Sequence, residues 1–562
     1  FLVAVAMIVG IGGGAGSILF RELFAFVHQL MRVEIPGLIA RPLLPLIPAL
    51  GGLAAGLLAA FCAREVRGAG VSEVIDSLVT RRGVIRARVM WAKALASGLT
   101  LGTGGSAGAE GPIIQMGAAL GSSVGQRFKF SETNLKTMIA CGSAAGISAI
   151  FNAPIAGVLF ALEVILGDFT IAAFTPVVIS SVLSAVVAQA YWGDSAVFAV
   201  PDYRFASIPE LGWYLILAAL AGIVGVAFIK ALYATDDVFE RRLSQLPVWI
   251  TPAIGGGLVG LVGLAFPEAM GVGYDTIGKA LRGDLVFGPL LLLLVLKFVT
   301  TSLTIGSGGS GGFFAPSLFM GAALGGSFGH LAQTWLPGVV SPPGAFALVG
   351  MGALVAATTH APLTAMLIIF EITGSYHIML PLMFSTILAV IVARALEFES
   401  IYSLKLARQG IRLHHGRDLS VLERIPVSQI MRTDFDFVRE HTPLGEMVGL
   451  IQYGSLHDFP VIDHDGKFLG MIWFYDIREV MLENDMYALL IAEDVLGDPP
   501  PKLLPRSSLA EVLVQFSTNE ADALPVFRAP SEDRLAGLIT RADLMRCYER
   551  ELLLREQKSL AE

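Results

Sequence analysis

Up to residue 404 the apolar residues gather in long runs with few charges, and beyond that point the runs become short and interspersed with polar residues. A helix needs about 20 residues, roughly 17 to 25, to cross a bilayer. Pro45–Phe61, Leu211–Ile229 and Gly344–Phe370 are predicted spans on that criterion. Leu285–Leu296 and Ile378–Ala393 are shorter or broken by Gly and Pro. Interrupted segments survive in lipid only where neighbours or a water-filled cavity satisfy the freed backbone groups. The pattern therefore predicts a pathway built from broken helices. Within residues 425–553 the pattern changes to two units, each reading helix, strand, hairpin, strand, helix.

Composition sharpens the division. The chain of 562 residues is 54% hydrophobic and 15% charged, against about 25% charged in an average soluble domain. Residues 1–404 hold 42 of the 86 charged side chains, and the shorter remainder holds 44. The boundary falls near Tyr402–Arg412. The expected organisation is a membrane domain over 1–404, a linker over 405–424, and small α/β modules over 425–486 and 487–562. Lys405, Arg408 and Arg412 follow the last apolar run, which places the C-terminal modules in the cytosol by the positive-inside tendency. A bacterial-type plasma membrane is the expected location. Cys62, Cys141 and Cys547 show no metal or redox spacing and read as scattered small apolar residues; no metal and no nucleic acid is expected. The chain opens at Phe1 inside an apolar run without a charged segment before it, which reads as a trimmed start and not as a signal peptide.

The membrane part is a duplication. TLGTGGSAGAEGPIIQMGAALGSSVG at 100–125 and TIGSGGSGGFFAPSLFMGAALGGSFG at 304–329 align without gaps and share 15 of 26 positions. Asn152-Ala153-Pro154-Ile155 then matches His360-Ala361-Pro362-Leu363, and Glu163 falls opposite Glu371. Paired Gly/Pro-interrupted segments in two halves of a transporter point to the ion site; here they are Gly102–Pro112 and Gly306–Pro316. Neither copy holds Gly-Lys-Ser/Thr, so a nucleotide P-loop is excluded.

A Gly-rich loop that runs into a helix N-terminus exposes unpaired backbone N–H groups at the positive end of the helix dipole, and so forms an anion site without a full charge. Conduction needs such weak binding. Pro112 and Pro316 suit the first turn of a helix. Ala109–Gly111 and Phe313–Ala315 would then turn amides towards one centre, lined by Phe313 and Phe314. Glu110 lies inside the first loop. Its carboxylate can occupy the anion site and, once protonated, leave it; an ionisable residue in a membrane segment is a functional candidate by default.

The stretches GAEGP at 108–112, NAPIAGVLFALEV at 152–164, GFFAP at 312–316 and SIYS at 400–403 closely resemble the CLC family of chloride channels and proton-coupled chloride exchangers, and Lys93 falls where that family has a lysine. The resemblance implies an α-helical polytopic membrane protein, an inverted-repeat bundle of broken helices. It implies a homodimer in the lipid bilayer, with one pore per subunit and chloride ions bound in each. It makes Glu110 the gating residue. The anion-binding residues become Gly108, Ala109, Gly111, Phe313, Phe314 and Tyr402, with Ala69 and Gly70 from an earlier loop.

Two positions depart from the family pattern. The first anion motif, usually Gly-Ser-Gly-Ile-Pro, reads Gly68-Ala69-Gly70-Val71-Ser72. Ala69 lacks the hydroxyl that binds the central anion, and Ser72 lies too far along to replace it. Val164 stands where many exchangers have a glutamate that relays protons from the inner face. Glu163 beside it, like Glu371, is expected to be structural, paired or bonded to backbone. Together these departures favour a passive anion channel over a chloride/proton antiporter. Tyr402, and the lack of a methionine at 68–72, argue against fluoride specialisation.

The two C-terminal units resemble a CBS domain pair. Phe459-Pro460-Val461 matches Leu524-Pro525-Val526, and Gly470–Asp476 matches Gly537–Asp543. In that family this stretch binds an adenine nucleotide, which assigns Thr540 to phosphate and Asp543 to ribose; Trp473 replaces the threonine of the first unit. At most one nucleotide site is expected, and the plainer reading is an empty pair in which Asp543 caps or pairs at the start of the last helix. No cofactor is required for transport, and the chain is not expected to be an enzyme. A remote alternative is a membrane-anchored nucleotide sensor without transport.

Overall fold

In the computed structural model the described residues are all except 32–40, 194–196, 199, 202, 204–207, 244, 338, 410, 412–421, 423–424, 454–457, 474–489, 498, 520, 549 and 552–562. The chain divides into two units, Phe1–His415 and Gly416–Glu562. Among the described residues, the first half of the membrane unit runs as α1 (Leu2–Gln29), α2 (Leu46–Phe61), α3 (Val71–Thr80), α4 (Arg88–Gly102), α5 (Glu110–Arg127), α6 (Glu132–Phe151), α7 (Pro154–Phe160) and α8 (Ile171–Trp192). The second half repeats the order as α9 (Leu211–Arg242), α10 (Thr251–Ala265), α11 (Tyr274–Arg282), α12 (Phe287–Gly306), α13 (Phe314–Trp335), α14 (Pro343–Thr359), α15 (Pro362–Thr373) and α16 (Met379–Leu396). A short α17 (Ser403–Arg408) follows. Among the described residues six helices are long and apolar enough to span a membrane, including α1, α8, α9, α12 and α16.

Packing repeats with the sequence. Helix α5 lies on α6 as α13 lies on α14, and α1 lies on α8 as α9 lies on α16. Small residues set these approaches. A Cβ on Gly117 would sit 2.0 Å from the Gly142 carbonyl oxygen, and one on Gly321 would sit 2.4 Å from that of Gly350. In lipid, where apolar side chains gain nothing by leaving the solvent, such backbone contact is a main source of helix association. The breaks repeat too. Asn152 and His360 end α6 and α14 with φ of 53° and 56°, and Pro154 and Pro362 then start α7 and α15.

That geometry corrects one predicted span. Gly344–Phe370 is not a single helix, because His360 turns the chain into the left-handed region and Pro362 begins a new helix. Two other segments run longer than their apolar cores: α12 continues through Lys297 and a row of Thr and Ser to Gly306, and α16 covers 18 residues.

In the second unit β1 (Val438–Arg439) pairs parallel with β2 (Phe459–Ile462), which pairs antiparallel with β3 (Phe468–Ile472). A second antiparallel pair joins β4 (Ala523–Phe527) to β5 (Leu535–Thr540), and helices α18 (Leu444–Tyr453) and α19 (Leu509–Asn519) complete the described elements. Arg432 and Leu538 exchange two backbone hydrogen bonds of 2.7 and 2.9 Å, which ties the start of the first module to the last strand of the second. Arg412 and the Phe474-Tyr475-Asp476 end of the first repeated motif lie outside the described residues.

Asp543 lies in the first turn of the helical stretch that begins at Arg541 after β5. Its amide donates to Thr540 Oγ1 at 3.1 Å, and Thr540 Oγ1 donates to its carboxylate at 2.6 Å. Arg432 grips the same carboxylate with two bonds, 2.7 and 3.1 Å, and Arg546 adds a third at 2.5 Å. Burial pushes the Asp543 carboxyl up, but the bonds from Arg432, Thr540 and Arg546 outweigh it and hold the group below the usual carboxylate range.

Two outcomes follow for stability. Gly117→Val should force α5 off α6 and cost about 1–3 kcal/mol or more, read as a lower melting temperature in detergent, whereas Gly16→Ala, whose Cβ meets nothing within 4 Å, should leave it unchanged. A carboxyl lowered by folding stabilises fully above its unfolded value of about 4, and that contribution fades as pH falls through the folded value. Asp543→Asn should therefore destabilise the second unit at pH 7, and its deficit against the parent should shrink in melts run below about pH 4.

Candidate functional site

Helices α5 and α13 begin with first-turn amides that have no preceding helical turn to bond. Their leading loops meet: Gly108 N–H donates to Gly312 C=O at 2.9 Å and Gly312 N–H to Gly108 C=O at 2.7 Å. Around this pair the hydrogen bonds repeat under the offset of 204. Ser97 Oγ lies 2.8 Å from Ser310 Oγ, and Thr301 Oγ1 lies 3.1 Å from Ser106 Oγ. Thr304 Oγ1 accepts from the Ser106 amide, and Thr100 Oγ1 from the Ser310 amide. The two halves are thus joined about a local two-fold axis, with two helix N-termini turned towards one centre.

Glu110 stands at the head of α5 and is 1% exposed. Its side chain reaches over to the other repeat. Oε2 accepts from the Ala315 amide in the first turn of α13 at 3.4 Å, and Oε1 accepts from the Tyr274 hydroxyl at 3.0 Å. A carboxylate therefore lies where the dipole of α13 and a free amide favour negative charge.

The other expected site residues gather beside it. Phe313, Phe314 and Tyr402 are buried. The Phe313 and Tyr402 rings have centroids 6.3 Å apart, Phe160 meets Tyr402 edge-on at 6.3 Å, and Phe151 tilts against Phe314 at 5.7 Å. Among the described residues the Tyr402 hydroxyl has no hydrogen-bond partner, so it is free to donate to an anion. Ala109 and Gly111 belong to the start of α5, and Gly111 abuts the Ala69 carbonyl so closely that a Cβ would lie 2.1 Å from it. Ala69, Gly70 and Phe313 line the base of a cavity of about 540 Å³. Its walls carry Arg67, Asp236, Lys405 and Arg408. Ser72 does not stand in for the missing hydroxyl, because its Oγ donates to the Tyr402 carbonyl at 2.9 Å.

Glu163 and Glu371 form a reciprocal pair of helix caps. Glu163 accepts from the amides of Leu363 and Thr364 (3.2 and 2.8 Å) and from the Thr364 hydroxyl, and Glu371 accepts from the amides of Ile155 and Ala156 (3.0 and 2.7 Å). Each carboxylate sits on the first turn of the helix that follows the Ala-Pro break in the other half. Val164, in the π-helical turn Ala161–Leu166, is half-buried against the apolar core. In the second unit, Thr540 and Asp543 bond to each other and to Arg432 and Arg546, and Trp473 is buried. Glu440, His441 and His464 offer ligand-type atoms within 4.8 Å of one another, but Arg439 Nη1 lies 3.3 Å from His464 Nδ1, and that cation disfavours a metal ion there.

The structure adds two residues that sequence reading missed, Lys297 and Tyr274. Lys297 stands 204 positions after Lys93, and both are fully buried. Lys93 Nζ donates to the carbonyls of Val66 and Gly68 (3.0 and 2.7 Å), and Lys297 Nζ donates to that of Gly271 (2.6 Å). Each lysine pins the loop before a helix headed by a left-handed glycine, Gly70 before α3 and Gly273 before α11, with φ of 89° and 88°. Gly271-Val272-Gly273-Tyr274 is therefore the second copy of Gly68-Ala69-Gly70-Val71, at an offset of 203. Extending the repeat upstream would have revealed both residues.

Comparison with known proteins agrees with this geometry. The profile of the voltage gated chloride channel family matches residues 51–394, and that of the CBS domain matches 427–483 and 492–550. A putative ClcB-like chloride channel protein of Ralstonia nicotianae is 35% identical over 417 residues, 72% of this chain and 97% of that protein. An H(+)/Cl(-) exchange transporter ClcA of Vibrio cholerae is 38% identical over 351 residues, 62% of this chain and 75% of that protein. The crystal structure of a slow cyanobacterial Cl-/H+ antiporter superposes with a TM-score of 0.66 at 29% identity, covering 73% of this chain and 96% of the other. The chain belongs to the voltage gated chloride channel (CLC) family of integral membrane anion transporters, which are not enzymes, and it carries a CBS domain pair after its membrane unit.

Proposed function

We propose that the membrane unit exchanges chloride for protons, with Glu110 as the gate and with Gly108–Gly111, Phe313, Phe314 and Tyr402 forming the anion site. The observation that carries the proposal is the position of the Glu110 carboxylate on the Ala315 amide. A halide and a carboxylate compete for that place, because two like charges so close repel strongly in a medium of low dielectric. A protonated side chain is neutral and competes poorly. Proton binding and anion passage are then linked through one group.

The residues at Val164 and Ala69 favoured a passive channel in the sequence, since valine carries no proton and alanine binds no anion. Exchange is the better supported reading. Relatives 33% and 38% identical and the cyanobacterial neighbour are named as exchangers. Ala69, Gly70 and Phe313 line a cavity, and water entering it would offer protons a way inwards that needs no carboxyl at 164. Lys405 and Arg408 line this cavity, and by the positive-inside tendency they support a cytosolic reading of this side. A homodimer with one pathway per subunit is the assembly expected of the family. At the CBS pair the carboxylate of Asp543 is held by two arginines, which favours a structural role over an adenine-nucleotide site.

In liposomes under crossed gradients, chloride flowing downhill should drive protons uphill, and the reversal potential should lie away from the chloride equilibrium value; a reversal potential equal to it would return the passive channel. Glu110→Gln should abolish proton movement while chloride flux persists and loses its pH dependence. Ala69→Ser should restore one neutral donor, worth about two- to tenfold in chloride affinity by calorimetry.

A further inference from the structure

The geometry points to Tyr274 as the latch of the gate, a positioning residue that holds the Glu110 carboxylate in its occluding place; this rests on the reading of Glu110 given above. The Tyr274 hydroxyl lies nearer the carboxylate than the Ala315 amide does, 3.0 Å against 3.4 Å. It bonds Oε1 and so leaves Oε2 facing α13. A hydrogen bond to an ionised group contributes more than one between neutral partners, and it favours the charged form of its acceptor.

Every element around the phenol fixes it. Tyr274 is the first residue of α11, directly after Gly273, whose φ of 88° sets the direction of the chain. Lys297 anchors the loop through the Gly271 carbonyl. The ring meets Phe198 edge-on at 5.7 Å, and the Phe198 amide is itself tied to the Ile372 carbonyl at 3.1 Å. The charged and titratable groups that face Glu110 are Lys297 from α12, Tyr274 from α11 and Tyr402 before α17, and Arg21 of α1 acts on Tyr274. Among the described residues only Tyr274 bonds the carboxylate through a side-chain donor.

The repeat gives this residue its meaning. Ala69 and Val272 are counterparts, as are Val71 and Tyr274. The first copy of the loop has lost the hydroxyl that would hold an anion; the second copy carries one that holds the anion's competitor. Control passes from binding chloride at one loop to restraining Glu110 at the other.

The test measures chloride flux against pH in liposomes for the full chain, Tyr274→Phe, Glu110→Gln and the double variant. Tyr274→Phe keeps the ring and its packing. With the carboxylate less restrained, acid activation should move about one pH unit towards neutral, and the double variant should match Glu110→Gln alone. Incorporating 3-fluorotyrosine at 274, a stronger donor, should move the profile the opposite way and serves if the phenylalanine variant does not fold. No shift in either variant, or the same change from Tyr274→Phe with and without Glu110, overturns the latch and leaves the gate standing. A pH profile that survives Glu110→Gln overturns both.

Discussion

The pair of hydrogen bonds between Gly108 and Gly312 brings two helix N-termini face to face inside the membrane unit, and the rest of the site answers the problem this creates. Each end carries part of a positive charge and several unpaired amides. In a region without bulk water neither is tolerable alone. Negative charge between the ends satisfies both. The Glu110 carboxylate supplies it in the structure described, and a halide is the natural alternative. Binding an anion and closing the pathway are thus two solutions to one electrostatic demand.

The lysines show why the demand is met by amides. Lys93 and Lys297 each bury an ammonium group close to this centre, yet each donates to loop carbonyls. They hold the loops and contribute a favourable potential without contacting the path. A point charge on the path would bind an anion too firmly for rapid passage. Small residues do the complementary work. The backbone contacts at Gly117–Gly142 and Gly321–Gly350 bring the helices close enough for the two loops to meet.

Much of this was legible in the sequence because it follows from backbone chemistry. Glycine clusters ending in proline mark helix starts, and their duplication places two of them at one centre. Glu110, Phe313 and Phe314 could be named on that basis, and Tyr402 from the resemblance of the stretch at 400–403 to the CLC family. The break inside Gly344–Phe370 was not, because it depends on a histidine in a left-handed turn, a conformation that neither hydropathy nor propensity indicates. Tyr274 and Lys297 escaped for another reason. They lie in the part of the repeat where few residues are identical and the offset slips from 204 to 203, so the correspondence appears only when the two loops are seen to be pinned by equivalent lysines. The preference for a passive channel came from single positions, Val164 and Ala69. A proton needs only a chain of water or titratable groups, and no one residue decides whether such a chain exists.

A duplicated chain folded about a two-fold axis would, if its halves were identical, offer the same barrier to an anion from either side. The polar differences between the halves break that equality. Glu110 corresponds to Phe314, and Val71 to Tyr274. Glu110 and Tyr274, a titratable pair bonded to each other, are therefore built from unmatched positions on both repeats and meet where the repeats converge. Beside them Ala69, Gly70 and Phe313 line the cavity, and the Tyr402 ring lies against Phe313. An anion meets a charge-sensitive barrier from one direction and a neutral, partly apolar one from the other. On the proposed exchange reading, protons act on the first barrier and not on the second, and that inequality would let a symmetric scaffold couple two fluxes in a fixed sense.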